Sequence, residues 1–302
     1  MNRSSAGEIV DFLQKQTYRS HVVGDVERSV TEIRSASDSN ESSLSFIRNL
    51  SYLESEVLSS LRGTVLAPLE SLSFVESRPQ SATWILVESP EAAFYEALRW
   101  LLITEQTPTI DKSAVIDPSV DVGKGVSIGA LSFIGPNVSL GHAVRIGAGC
   151  TLRHCVVEDS VVIQDGVRIG GEPLGVVKRP DGTWVDRPSL RGVRIGKGSR
   201  IEDNTVVQRG FLTDTHIQEN VRVGPNCSIG NGVTIGRETL IAQSVVIAGS
   251  VKIGEGCSIW GNVSIREGRL ITSGCTVGMG SVVVEDLLEN ATYVGVPARR
   301  FR

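Results

Sequence analysis

The sequence predicts a mainly β protein: a repetitive β-solenoid preceded by a small α/β domain. Three observations carry this. After residue 106 an aliphatic side chain recurs at nearly every sixth position. Glycine is abundant, 32 of 302 residues, while aromatics make up only 5%, so the core is built from small and β-branched side chains. The first 105 residues show no such period.

Residues 1–105 read as mixed α and β structure. SSAGEIVDFLQ offers Ser5 as an N-cap with Glu8 three positions on, a capping box, then Ile9, Phe12 and Leu13 on one helical face. GTVLAPL and TWILVES are short apolar runs of strand length. SPEAAFYEALRWLL places Ser89 before Pro90, the favoured first helical residue, then Ala93, Phe94, Ala97, Leu98 and Leu101 on one stripe. TEQTPTID reads as the linker.

Residues 106–284 carry the repeat. Aliphatics stand at Ile110, Ile116, Val122, Ile128, Ile134, Leu140, Ile146 and Leu152, and again without a miss from Ile217 through Ile241 and Ile259 to Val283. A small or β-branched residue follows four positions later, as at Val126, Ser132, Thr239 and Val245. Each hexad is then one short strand and a turn, with the aliphatic inward, the small residue at the corner and a glycine easing the turn. Three hexads close one triangular coil, and coils stack because none buries its apolar face alone. A β-sandwich would alternate with period two instead.

The breaks are as informative as the period. It slips by one between Leu152 and Val157. It is lost after Ile169 over a loop near 171–192, which contains Trp184, and resumes at Ile195. Four extra residues intervene between Val207 and Ile217. Long loops in compact domains are commonly functional, and the larger break is read as an excursion reaching an active site or a neighbouring subunit. Residues 285–302 read as an irregular tail with arginines at 299, 300 and 302.

All five cysteines fall on the corner sub-position (Cys150, Cys227, Cys257 and Cys275 directly, Cys155 in the slipped register). They are therefore read as buried small hydrophobes, with no CxxC pair for zinc or redox chemistry. The four histidines, His21, His142, His154 and His216, are too scattered for a convergent metal triad. His142 and His154 are two hexads apart, hence on different faces. No metal or bound cofactor is expected. A net charge of −4 argues against nucleic acid as the main partner. No apolar run spans a membrane, and MNRSSAGEIVDFLQ has neither a long apolar core nor a cleavage site, so a cytoplasmic location is expected.

The hexads resemble those of the hexapeptide-repeat acyltransferases, which implies a left-handed parallel β-helix. With the ends included, and with DGTWVDRPSLRGVRIG, TVVQRGFLTDT and IAQSVVIAGSVKIG in order, the chain is similar throughout to the UDP-3-O-acylglucosamine N-acyltransferases of lipid A biosynthesis. That family holds uracil with an F-x-x-N-x-x-Y motif, which here falls on Phe46, Asn49 and Tyr52. A ring to stack on the base and an amide to read its edge suit the task. The resemblance further implies that Trp184, Gln208 and Arg209 bind substrate and that the Gly249 N–H stabilises the oxyanion.

Departures redirect the reading. The family's catalytic histidine, in an I-A-H-N pattern, is replaced by Asn231 in CSIGNGVTIG; a second histidine falls near Gly268, and Gln208 replaces an aspartate. The family's helical C-terminal extension is missing. The ending VGVPARRFR is more like that of coenzyme A-dependent sugar acetyltransferases. The expectation is a relative that moves an acyl group from a thioester onto the amine of a UDP-linked amino sugar, for surface glycan synthesis. An amine with a pKa near 8 is partly neutral at pH 7, so a base matters less than for a hydroxyl. Asn231 would hold the amine. Arg299 and Arg300 would meet the donor's phosphates, a short acyl-CoA being favoured over acyl carrier protein. A homotrimer is expected. Two other readings remain: a catalytically silent UDP-sugar-binding scaffold, and a divergent, carrier-protein-dependent lipid A N-acyltransferase.

Overall fold

The computed structural model describes residues 3–49, 60–77, 81–102 and 107–301. Tyr52 and Arg302 lie outside them. Contacts divide the chain into two units, Met1–Gln106 and Thr107–Arg302.

In the first unit, helix α1 (Ala6–Lys15) starts on the expected capping box. The Glu8 backbone N–H donates to Ser5 Oγ at 3.2 Å, and the Ser5 N–H donates to the Glu8 carboxylate at 2.9 Å. Strands β1 (Ser20–Val23), β2 (Glu32–Ile33), β3 (Ser43–Phe46), β4 (Gly63–Pro68) and β5 (Ala82–Val87) form one sheet in the order β1-β5-β4-β3-β2. Only β1 runs antiparallel to its neighbour. Strands β4 and β5 are buried along their whole length, as central parallel strands covered on both faces must be. Helix α1 and helix α2 (Pro90–Leu102) pack Ile9, Leu13, Phe94 and Ala97 on Leu44, Leu66 and Ile85 of one face. Leu61 and Val75 cover Val65, Ala67 and Leu86 on the other.

The second unit is the parallel β-helix. Its strands, mostly two residues long, stack into three sheets of ten, nine and eight strands. Phe133 pairs with Thr151 and Leu240 with Ser258, in each case the position three hexads further on, which is one coil. Inward aliphatics from Ile128 to Val283 are buried in one continuous core. Ile110 and Val122 are not: they are 49% and 38% exposed, because the first coil has a neighbouring coil on one side only.

Glycine plays two separate parts. The glycine directly after an aliphatic serves close stacking: a Cβ on Gly129 would lie 2.5 Å from the Gly147 carbonyl carbon in the next coil. Positive φ falls three positions after the aliphatic, at Gly232 (φ 64°) and equally at Asn204 and Asn220. In the shortened turn between Leu152 and Val157 that conformation falls on His154, at φ 46°.

The tail is more ordered than its sequence suggests. Thr292–Val294 adds a parallel strand to the ten-stranded sheet, and Arg299–Arg300 pairs antiparallel against it. A solenoid end leaves a row of backbone groups unpaired, and this segment covers part of it.

All five cysteines are buried and unpaired. Corner hydroxyls serve the same columns: the Cys150 N–H donates to Ser132 Oγ at 3.0 Å and the Cys257 N–H to Thr239 Oγ1 at 3.2 Å. Burial pushes the Cys155 thiol up to about 12 and raises the others, so the reactive thiolate is suppressed. No thiol is expected to react with a disulfide reagent in the native protein at pH 8, and all five should react once it is unfolded. Labelling of one thiol before unfolding would contradict this burial.

Candidate functional site

One edge of the β-helix gathers its irregularities. It follows the nine-stranded sheet, whose inward aliphatics here are Leu152, Ile169, Val207, Ile229, Ile247, Ile265 and Val283. Two residues after these aliphatics stand His154, Gly171, Arg209, Asn231, Gly249, Glu267 and Glu285. Successive coils lie about 4.8 Å apart. Arg209, Asn231 and Gly249 are thus consecutive rungs of one column, although their spacing in sequence is unequal. The inequality comes from the insertion. Val206 pairs with Ser228, a full coil and the inserted segment further on, while Ser228 pairs with Val246 across a plain coil of three hexads.

Asn231 and Gly249 form the chemically open part. A Cβ on Gly249 would lie 2.8 Å from Asn231 Oδ1, so the carboxamide lies directly against that glycine. Both residues are half-buried. Among the described residues, neither the Asn231 side chain nor the Gly249 backbone N–H has a hydrogen-bond partner. An amide oxygen, an amide N–H₂ and a backbone N–H therefore converge without a protein partner among the described residues. Such a set suits a reactant carrying both a donor and a developing oxyanion. The turn below is rigid, since the Gly232 N–H donates to Thr215 Oγ1 at 2.8 Å and Thr215 donates to the Gln208 carbonyl at 2.7 Å.

Arg209 is placed differently from expectation. Its Nε donates to the Arg191 carbonyl at 2.7 Å, its Nη1 meets Glu172 at 3.1 Å, and its backbone N–H donates to Gly171. With its side chain only 12% exposed, it ties together both arms of the 172–192 excursion. The cation is occupied by the protein itself. Gln208, one residue earlier, has no side-chain hydrogen bond among the described residues and remains open to a ligand.

Trp184 stands out on the excursion's hairpin. Val176–Lys178 and Trp184–Asp186 pair antiparallel from Val176–Asp186 to Lys178–Trp184, which carries Trp184 outward from the base. The residue is 60% exposed, and its ring is met by the Lys178 ammonium at 5.0 Å. The tail arginines likewise have partners: Arg299 contacts Glu285 at 3.3 Å, and Arg300 contacts Glu289 at 2.5 Å.

His154 sits at the foot of the excursion. Its carbonyl accepts from the Val193 N–H at 3.0 Å, and its Nδ1 lies 3.3 Å from Asn137 Nδ2. Burial holds its pKa below the usual imidazole value, and the Arg209 charge lowers it further. The folded state thus prefers the neutral ring. Its contribution to stability is complete above the unfolded value of 6.5 and is lost as pH falls below it. His154→Gln is expected to flatten the acid side of the stability curve between pH 7 and 5. An unchanged slope would show that another group sets it.

In the first unit, a cavity of about 420 Å³ opens at the C-terminal ends of β2 and β3, the end of parallel strands where ligands commonly bind. Arg34, Ser35, Ser37, Phe46, Arg48 and Leu61 line it. Phe46 is steadied by Phe94, 4.7 Å between ring centroids, and Asn49 is exposed nearby in sequence.

Stacked hexads in a parallel β-helix place the chain among the hexapeptide transferases. The family model for the bacterial transferase hexapeptide (six repeats) matches residues 214–249, which include Asn231 and Gly249. A UDP-3-O-acylglucosamine N-acyltransferase from Delftia acidovorans is 28% identical over 96% of this chain and 85% of its own length. One from Paraburkholderia phytofirmans is 30% identical over 71% of this chain and 67% of its own. The chain belongs to the UDP-3-O-acylglucosamine N-acyltransferase family, and it is an acyltransferase. The solved UDP-N-acetylglucosamine acyltransferase from Campylobacter jejuni, 22% identical, matches 64% of this chain and 74% of its own with a TM-score of 0.59, which shows the shared fold.

Proposed function

We propose that this protein transfers an acyl group from a thioester to the amine of a UDP-linked amino sugar, at the edge formed by Asn231 and Gly249. The observation carrying this is the pair left without protein partners among the described residues: a carboxamide against a glycine whose N–H is open, on adjacent rungs. The neutral amine attacks the thioester carbonyl. The Gly249 N–H receives the oxyanion, and Asn231 Oδ1 accepts a hydrogen bond from the amine. Collapse expels the thiolate, which takes up the proton the amine loses, giving amide and thiol. The Phe46 cavity is read as the pocket for the uracil ring.

The donor's arm fits the column. A phosphopantetheine arm has about thirteen bonds between sulfur and phosphorus, roughly 16 Å when extended. Glu285, on the third rung beyond Asn231, is about 14 Å away. Its partner Arg299 is therefore at the right height for the donor's phosphate, on release from Glu285. A short acyl-CoA remains the favoured donor over acyl carrier protein, and a surface glycan the favoured destination. The reading includes a homotrimer: along the outer face of the nine-stranded sheet Arg168 is the one charged residue among the strand positions, and a second copy would cover that face at little desolvation cost.

The test is thiol release with UDP-amino sugars paired with acetyl-CoA, longer acyl-CoAs and acylated carrier protein. Release that requires both a sugar and one donor supports the reading and names both. UDP-sugar binding without release from any pair would favour the silent scaffold.

A further inference from the structure

The two breaks in the hexad pattern are one structure. The Phe211 ring, from the four-residue insertion, lies directly on Gly175 of the excursion: a Cβ there would be 2.0 Å from the ring's Cζ. On the ring's other contact, the Arg187 guanidinium sits 4.3 Å from the centroid. The Arg187 N–H donates to the Gly175 carbonyl at 2.7 Å, so both arms of the excursion close on the same ring. The backbones pair as well, the Leu190 N–H donating to the Phe211 carbonyl at 3.0 Å. From there the insertion runs straight to the reactive turn. Thr213 Oγ1 lies 3.1 Å from where a Cβ on Gly232 would stand, next to Asn231.

We propose that Phe211, seated on Gly175, is a positioning residue that sets the acceptor side of the Asn231 site. This rests on the transfer reading above. Gly249, which takes the carbonyl oxygen, is one rung toward the C-terminal end, and the donor's arm continues that way. The amine must then approach Asn231 from the opposite side, which the insertion at 209–214 walls. A displaced Phe211 moves that wall and leaves the Gly249 rung untouched. Only glycine at 175 permits the seat, because any side chain there meets the ring.

Gly175→Ala is expected to raise KM for the amino sugar about tenfold, since small misplacements of an orienting wall are costly, with KM for the thioester within twofold. It should also speed amide exchange across residues 186–192 while the melting temperature of the β-helix stays close to wild type. Phe211→Leu removes the ring atoms the new Cβ would strike. The double variant Gly175→Ala/Phe211→Leu should therefore be no worse than Phe211→Leu alone, in KM and in exchange. Additive losses, or a parallel rise in both KM values, would overturn the proposal. If wild-type protein turns over no amino sugar, the transfer reading fails separately. Exchange then decides the seat: protection lost in Gly175→Ala and unchanged between Phe211→Leu and the double variant sustains it, and undisturbed protection in Gly175→Ala refutes it.

Discussion

Replacing Asn231 by alanine is expected to lower kcat about 100-fold with little change in either KM. The magnitude follows from removing one preorganised polar group at a reacting centre, typically worth about 10²–10³ in rate. The carboxamide has no hydrogen-bond partner among the described residues, so its loss leaves no orphaned group behind. The fold should be unaffected, with the melting temperature within a few degrees. Steady-state kinetics over pH 6–9 check the assignment. Because no titrating base is invoked, the wild-type rate should rise with pH as the amine loses its proton, and the variant should follow the same curve at a lower level. A change in the curve's shape would mean that Asn231 acts through an ionisable neighbour. An unchanged rate would remove it from the chemistry.

The second large effect is on stability. Ile241→Ala is expected to cost about 3 kcal/mol, within the range for emptying a fully buried isoleucine site. Ile241 is 0% exposed, with coils packed on both sides. Ile116→Ala, the same change in the half-covered first coil, should cost less than about 1 kcal/mol. Urea unfolding at fixed protein concentration compares them. Equal losses would contradict the nearest-neighbour picture of the stack, in which an end coil has half the contacts of a central one.

The six-residue period is enough to specify the β-helix. Each inward aliphatic is paired by stacking with the next coil, so the pattern is local in sequence and repeated many times. The capping box at Ser5 and the apolar strands GTVLAP and ATWILV were legible for the same reason. Asn231 and Gly249 came from the resemblance, and the column places them together. The resemblance assigns Arg209 to the substrate, but its guanidinium faces a carbonyl and a carboxylate that stand 18 and 37 positions earlier in the chain. The hexad pattern does not by itself reveal the seat of Phe211 on Gly175. One signal pointed to it: both breaks begin two residues after an aliphatic of the same column, which appears once coils rather than residues are counted.

The sequence by itself determined the coil, its core and the identity of its corner residues, because each depends on neighbours one hexad or one coil away. The tertiary structure decided which rungs share an edge, how the two breaks fold onto each other, and which polar groups are left open. Those depend on coils that depart from three plain hexads: a shortened one pairing Arg145 with Val162, one carrying the excursion between Cys155 and Val193, and one carrying the insertion between Val193 and Thr215. A side chain's partners in such a turn are fixed only when the excursion closes, so Arg209 is consumed in holding it while Asn231, one rung on, is left free to act.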